Sequence, residues 1–350
     1  MSPRVAILGA TGAVGREMRR QLSKRNFPLD GDPVLLASPR SAGSTVTFDG
    51  RDLTVKAVSK EAFDGIDIAL FSAGASRSRE WADTAVAAGA IVVDNSSAFR
   101  QDDTVPLVVS EVNPEAAANR PRGIIANPNC TTMVLMVAAK PLHDVFGLTS
   151  MVTTSFQAAG GAGQSGIDEL MAQTVALSSD AERLRSNGRA TEAAVQPDAH
   201  VFSKPIAMNV LAHCGSFTDA RYTDEEWKLV NESRKILGIN DLAVAPTCVR
   251  VPVVVGHSIA ARMTFASAVT RAQVMDALAG AKGLQVVDGI GGDEALAYPT
   301  PLGAAGEDDV FVGRIREDLY DPKSINLFVV GDNLLKGAAL NTVQIAELLV

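Results

Sequence analysis

Five short apolar runs, Val5–Leu8, Val34–Ala37, Ile68–Phe71, Ile91–Val93 and Ile124–Ala126, punctuate the first third of the chain, and each gives way to Gly or polar residues. Runs this short and this continuous predict strands buried on both faces. Gly15–Leu22 and Ser78–Ala88 carry helical spacing and fill gaps between them. The alternation predicts a parallel sheet covered on both sides. The middle of the chain is patterned differently. Over Met151–Gln157 the residues alternate, with Val152, Thr154 and Phe156 on one face and Thr153, Ser155 and Gln157 on the other. Val249–Val255, Ser258–Phe265, Val310–Ile315 and Ile325–Val330 read as further strands, with helices over Thr223–Leu237 and Arg271–Ala281. That mix predicts a second, α+β domain on an open sheet. Ser178–His200 is polar and weakly periodic and reads as an irregular excursion. Leu334–Leu349 reads as an amphipathic terminal helix. No internal repeat or low-complexity tract is present.

Composition narrows the class. A chain of 350 residues is long enough for two domains, and an apolar fraction of 47% argues against disorder. The formal charge is −8 with no dense basic block, so nucleic acid is not an expected partner. The three cysteines, Cys130, Cys214 and Cys248, are odd in number and far apart, which argues for a reducing compartment rather than a disulfide framework. No leader-like segment and no unbroken span of about 18 apolar residues is seen. The expectation is a cytoplasmic protein with no membrane partner.

The candidate chemistry starts at Asn127-Pro128-Asn129-Cys130-Thr131-Thr132, directly ahead of the apolar segment Met133–Leu142. Thr131 and Thr132 suit the first turn of a helix, and a thiol there feels the positive end of the helix dipole, which favours thiolate. The alternative is a structural, buried thiol. A second motif, Gly9-Ala10-Thr11-Gly12-Ala13-Val14-Gly15, follows the first strand and opens a helix, the context in which glycines admit a diphosphate to a helix N-terminus. After the second strand, Ala37-Ser38-Pro39-Arg40-Ser41 lacks the acidic residue that holds a ribose 2′-OH. Arg40, between Ser38 and Ser41, suits a 2′-phosphate, so NADP is favoured over NAD.

A thiol and a nicotinamide together suggest hydride transfer at an acyl thioester, and such a site needs an acid/base group. Of the four histidines, His143 looks structural, His200 lies in the excursion and His213 lacks further metal ligands. No metal is expected. His257, after Gly256, is the best candidate. Arg250 lies seven residues earlier, and an odd separation in a straight strand puts two side chains on opposite faces unless Pro252 and Gly256 bend the segment. Thr223 and Glu226 fit a capping box, leaving Glu225 and Lys228 on one helical face, either as a site or as a solvated ion pair.

These pieces together resemble the aspartate-β-semialdehyde dehydrogenase family over nearly the whole chain. The likeness rests on Gly9–Gly15, Ser96-Ser97-Ala98-Phe99-Arg100, Asn127–Thr132, Ser155-Phe156-Gln157 with Gly160–Gly163, Glu225–Lys228, Arg250–Ser258, and Gly331-Asp332-Asn333-Leu334 with Lys336-Gly337-Ala338-Ala339. It implies an α/β fold with a Rossmann-like dinucleotide-binding domain, residues 1–128, completed by the C-terminal helix within 331–350. A catalytic and dimerisation domain on an open mixed sheet would span 129–330. By the same resemblance Cys130 is the nucleophile, His257 the acid/base and Gln157 the group that orients the intermediate. Arg250 grips the substrate carboxylate and Glu225 its amino group, while Lys228, Arg100 and Asn129 form the phosphate site. NADP would touch Gly9, Thr11, Gly12, Ala13, Val14, Ser38, Arg40, Ser41, Ser72, Gly160, Gly161 and Asn333. Ala212, where many members have Pro, and Ala126, where Ser is common, depart from the pattern, and Ser216–Arg221 is a short loop.

The implied reaction is NADPH-dependent reduction of L-aspartyl-4-phosphate to L-aspartate 4-semialdehyde with release of phosphate, in lysine, threonine, methionine and diaminopimelate biosynthesis. The implied assembly is a homodimer or tetramer. Two other readings stand beside it. One is an N-acetyl-γ-glutamyl-phosphate reductase or another acyl-phosphate reductase, whose relatives carry glycine before the cysteine. The other is a non-catalytic dinucleotide sensor, which predicts loss of Cys130, Gln157, Arg250 or His257; all four are present.

Overall fold

The computed structural model describes residues 2–179, 181–218, 220–289 and 297–350. The chain forms two compact units. The first comprises Met1–Val137, Asn231–Asn240 and Leu334–Val350, and the second Ala138–Val230 and Asp241–Asn333.

In the first unit lie β1 (Val5–Leu8), β2 (Val34–Ala37), β3 (Thr45–Phe48), β4 (Arg51–Thr54), β5 (Lys56–Ala57), β6 (Ile68–Phe71), β7 (Ile91–Asp94) and β8 (Ile124–Ala126). Six of them form a parallel sheet in the order β5-β2-β1-β6-β7-β8. The continuous apolar runs have the predicted consequence: every residue of β1 and β6 is buried. Strand order reverses at β1, with β2 on one side and β6 on the other. In open parallel sheets such a reversal opens a crevice at the carboxyl ends of the strands. Helices α1 (Ala13–Lys24) and α2 (Ala75–Ala87) flank the sheet, and α1 contributes Met18 and Leu22 to a core shared with Ile7, Leu70 and Val343. The β3–β4 hairpin was not expected from the apolar pattern. Its signal is Asp49-Gly50, both at positive φ, in a two-residue turn of the kind that closes hairpins.

The chain end differs from expectation. Leu335–Ala339 is a π-helical turn, followed by an α-helix over Leu340–Glu347. It is buried nearly all round rather than amphipathic, because its polar residues find interior partners. Lys336 Nζ lies 2.6 Å from Glu111 Oε1, and Asn341 Nδ2 donates to the Val108 carbonyl and to Asn127 Oδ1.

The second unit is built on a six-stranded mixed sheet of β9 (Leu148–Gln157), β10 (Ala243–Arg250), β11 (His257–Phe265), β12 (Leu284–Val286), β13 (Val310–Glu317) and β14 (Ser324–Gly331). The order is β10-β9-β11-β14-β13-β12, with β10–β9 and β12–β13 parallel and the other pairs antiparallel. Strand β9 alternates as the sequence predicts, but its Thr153, Ser155 and Gln157 face is the buried one, while Val152 is 53% exposed. The strand expected over Val249–Val255 lies earlier, over Ala243–Arg250, and Val251–Gly256 connects it to β11. Pro246 is tolerated because β10 is an edge strand. Much of the Ser178–His200 excursion is helical, over Ala181–Ser186 and Gly188–Val195, rather than irregular. A further helix, Gln164–Leu177, precedes it. Leu170, Leu177, Ile206, Ala207 and Leu211 give this region its own apolar cluster, against which Leu184, Val195 and Phe202 pack.

Candidate active site

The glycine loop in the first unit is shaped for close approach. Gly9 has φ +91°, and a Cβ on it would collide with the carbonyl of Ser72, which follows β6. A Cβ on Gly15 would collide with the Gly9 carbonyl. Gly9 and Ala10 donate to the Leu36 carbonyl, which ties the loop to β2, and Gly12 N-caps α1 without a side chain to obstruct the helix end. The first turn of α1 therefore has no side-chain cap on its backbone N–H groups, and a helix N-terminus after a glycine loop is the setting in which a diphosphate is held. Ser38, Arg40 and Ser41 form the turn after β2, closed by a Ser41 N–H bond to the Ser38 carbonyl. Arg40 is exposed and makes no ion pair among the described residues.

Cys130 is the first residue of the helix Cys130–Phe146 and is half-buried. Asn129 caps that helix: its Oδ1 accepts the N–H groups of Thr131 at 2.9 Å and Thr132 at 3.3 Å. Its own N–H donates to Glu232 Oε2 at 2.6 Å. The other oxygen of Glu232 lies 3.3 Å from Arg100 Nη1. Arg100 also donates from Nε to the Asn127 carbonyl at 2.9 Å and from Nη2 to the Asn95 carbonyl at 3.0 Å. Lys235 holds the next turn by bonding the carbonyls of Arg100, Asp102 and Val105. One buried carboxylate thus braces both the turn that presents Cys130 and the predicted phosphate-site arginine. Three of the five guanidinium N–H groups are engaged, which leaves two for an anion. Asp94 anchors the same loop through Ser78 and Ser96, and burial pushes its carboxyl up despite those bonds.

In the second unit Gln157, Arg250 and His257 sit at one end of three adjacent strands. Arg250 is the last residue of β10 and pairs with Gln157, the last residue of β9. His257 is the first residue of β11, one step beyond the Ser258–Phe156 pair. The parity objection to an Arg250–His257 pair therefore falls away, because the two residues belong to different strands. Their side chains converge on Gly161, where a Cβ would lie 2.9 Å from Arg250 Nη1 and 3.1 Å from His257 Cε1. His257 is fully buried, and its Nδ1 accepts the Ala158 N–H at 3.1 Å. The neutral ring consequently carries its proton on Nε2. Burial, and then the charge of Arg250, hold the imidazole well below its usual pKa, so it is neutral at pH 7.

Glu225 and Lys228 join this group on the helix Asp224–Leu237. The capping box is present, with Thr223 N–H donating to Glu226 Oε2 and Glu226 N–H to Thr223 Oγ1. Glu226 Oε1 also accepts the Cys248 N–H, which ties the helix start to β10 two residues before Arg250. Gln157 Nε2 donates to Glu225 Oε1 and to Ser155 Oγ, each at 3.3 Å. Lys228 Nζ reaches Glu225 at 3.0 Å and Asp224 at 2.9 Å. Burial works against the Lys228 charge, but Glu225 and Asp224 outweigh it and push the amine up to about 12.

Gly160 and Gly161 follow Gln157 closely, and Gly160 donates to the Val254 carbonyl. Asn333 accepts the Gly256 N–H with Oδ1, while its buried Nδ2 has no hydrogen-bond partner. That orphan donor is a feature a cofactor amide could satisfy. Glu232 was not singled out in the sequence. A signal existed for Glu232, four residues after Lys228 on the same helical face. Among the described residues no cluster of three metal-ligating side chains exists, and no helix is long and apolar enough to cross a membrane.

Comparison with known proteins places this arrangement. Residues 4–120 match the family model described as semialdehyde dehydrogenase, NAD binding domain, and residues 139–336 the model described as semialdehyde dehydrogenase, dimerisation domain. The chain is 49% identical over 347 residues to an aspartate-semialdehyde dehydrogenase of Streptomyces akiyoshiensis, covering 99% of this chain and 98% of the relative. Its structure is similar to aspartate semialdehyde dehydrogenase II of Vibrio cholerae complexed with ASA, with TM-score 0.91, 44% identity, and coverage of 100% and 98% of the two chains. It is also similar to the Candida albicans aspartate semialdehyde dehydrogenase with NADP, with TM-score 0.74, 25% identity, and coverage of 100% and 98%. A parallel-sheet unit with a glycine loop, a mixed-sheet unit and full-length identity near one half lead to one conclusion: the chain belongs to the aspartate-semialdehyde dehydrogenase family.

Proposed function

We propose that the chain reduces L-aspartyl-4-phosphate to L-aspartate 4-semialdehyde with NADPH, through a thioester on Cys130, and releases phosphate. The observation that carries this reading is Arg250. It is 8% exposed, makes no ion pair among the described residues, and its buried Nε has no hydrogen bond. A buried cation without a carboxylate partner is costly, so its natural partner is an anionic ligand. Glu225, beside it through Gln157, suits a free α-amino group, which an N-acetylated substrate lacks.

In the forward direction the Cys130 thiolate attacks the acyl carbon and phosphate leaves, accompanied by the two remaining Arg100 N–H groups and by Lys228. Bound NADPH supplies the hydride. As the carbonyl oxygen becomes negative, His257 Nε2–H stabilises it by a hydrogen bond, and Gln157 fixes the acyl group. Collapse regenerates the thiolate, so the only proton consumed goes to the departing phosphate. Gly9, Thr11, Gly12, Ala13 and Val14 would hold the diphosphate, Ser38, Arg40 and Ser41 the 2′-phosphate, and Ser72, Gly160, Gly161 and Asn333 the nicotinamide end. The protein acts in the cytoplasm as a homodimer. The outward-facing Val152 and the Phe156–Phe328 ring pair, 6.4 Å apart on the open sheet, supply an apolar face for it.

The test is spectrophotometric. With the semialdehyde and NADP, NADPH should form only when phosphate or an analogue such as arsenate is added. Formation at the same rate without it would sink the reading. Light scattering on the purified protein should give twice the monomer mass; a monomer at micromolar concentration would remove the dimer.

A further inference from the structure

The carboxylate-gripping arginine is held by fewer bonds than its role requires, and a residue just after the helical excursion makes up the difference. Arg250 Nη1 donates to the Ala158 carbonyl at 2.8 Å, and Nε bonds nothing. One hydrogen bond leaves the guanidinium plane free to turn about that bond. The guanidinium carbon lies over the ring of Phe202, 5.6 Å from the ring centroid. Phe202 is itself held. It packs on the cluster of Leu170, Leu177, Ile206 and Leu211. Gly166 leaves room for its edge, since a Cβ there would sit 3.1 Å from Phe202 Cζ.

We infer that Phe202 is a positioning residue for substrate binding: its ring holds the Arg250 guanidinium in place so that its free N–H groups meet the substrate carboxylate. A flat cation covered on one face by an aromatic ring still donates along its edge, and a bidentate carboxylate contact needs that edge aimed. The inference rests on the reading of Arg250 as the carboxylate site, and it gives Phe202 a role that no sequence motif signals.

The experiment compares Phe202→Leu, Phe202→Tyr, Arg250→Lys and the double variant Phe202→Leu/Arg250→Lys. Leucine keeps the apolar volume in the cluster and removes the ring face. Phe202→Leu should raise KM for the semialdehyde by about three- to tenfold, with kcat and the KM values for NADP and phosphate little changed. Phe202→Tyr should restore the wild-type KM. In the double variant KM should be no higher than in Arg250→Lys alone, because Phe202 acts only through Arg250. Three results would overturn the inference: an unchanged semialdehyde KM in Phe202→Leu, a multiplicative penalty in the double variant, or a parallel rise of all three KM values with a fallen melting temperature. If instead Arg250→Lys itself leaves the semialdehyde KM untouched, the carboxylate reading of Arg250 is what fails, and the inference goes with it.

Discussion

Arg100 and Arg250 are equally buried, each 8% exposed, yet their guanidinium groups are held in different ways. Arg100, in the first unit, bonds two backbone carbonyls and pairs with Glu232. Arg250, in the second, bonds one carbonyl and lies under one ring. The difference teaches what each is for. Arg100 links the loop segments after β7 and β8, and under the proposed function its two remaining donors serve phosphate. Arg250 has one carbonyl bond and no ion pair among the described residues, which under the proposed function leaves it to a substrate carboxylate.

The largest effect should come from the residue that the Arg100 loop helps to present. Cys130→Ser should abolish turnover by at least about a thousandfold and leave the melting temperature nearly unchanged, because an alcohol has no comparable anion near neutral pH. Labelling with iodoacetamide should map to half-buried Cys130, while buried Cys214 and Cys248 react slowly; burial pushes the Cys248 thiol up. A serine variant with a tenth of wild-type activity would mean that the thiol is not the nucleophile.

Next comes the pair of lysine substitutions that sets the two arginines against each other. Arg250→Lys keeps charge but loses the planar fork, and should cost about 1.5–3 kcal/mol of transition-state binding, roughly ten- to a hundredfold in kcat/KM for the semialdehyde. Its melting temperature should barely move. Arg100→Lys cannot reach both carbonyls and Glu232 together, and should lower the melting temperature by several degrees as well as weaken phosphate. Reversed patterns, with a destabilised Arg250→Lys and a thermally normal Arg100→Lys, would break the comparison.

A smaller effect is expected at the rim of the first unit. Arg40→Ala should raise the KM for NADP by roughly tenfold and narrow the preference for NADP over NAD, with catalysis otherwise intact. Exposed Arg40 has no ion pair among the described residues, so nothing in the fold should suffer. An unchanged cofactor ratio would return it to the status of a solvated surface residue.

The two units also differ in how much of them was legible in the sequence. Five of the six strands of the parallel sheet could be read, because strands buried on both faces leave continuous apolar runs, whereas the two-residue, exposed β5 leaves none. The glycine loop could be read because tight turns admit few residue types. In the second unit the strand carrying Arg250 was misplaced: apolar Val251, Val253, Val254 and Val255 mimic a strand, while the real one contains Pro246 at an edge. The convergence of Arg250 and His257 was hidden for the same reason, since it depends on β9 lying between β10 and β11. Glu232 and the polar residues of the chain end were missed because pattern reading sends polar side chains to solvent. Here Lys336, Asn341 and Glu232 are fully buried and paired inside the first unit. The polar inner face of β9, with its Ser155 and Gln157, is the same lesson in the second.

The last and smallest effect concerns the proton on His257. Its folded pKa lies well below the ordinary value, first because of burial and then because of Arg250. The unfolded chain therefore binds a proton at this residue near pH 6.5, where the folded chain does not. Stability from this group is fully present above pH 6.5 and is lost as pH falls below that value toward the folded pKa. Wild-type protein should thus lose melting temperature on going from pH 7.5 to 5.5, and His257→Asn should lose less over the same interval. Asparagine is a fair comparison because its Oδ1 can accept the Ala158 N–H in place of Nδ1. Removing the neighbouring charge with Arg250→Met should recover part of the loss, whereas Arg100→Met, in the other unit, should leave the His257-dependent difference in place. Parallel curves for wild type and His257→Asn would show that the folded imidazole titrates as it does in the unfolded chain, and the argument that burial and Arg250 hold it neutral would then fall.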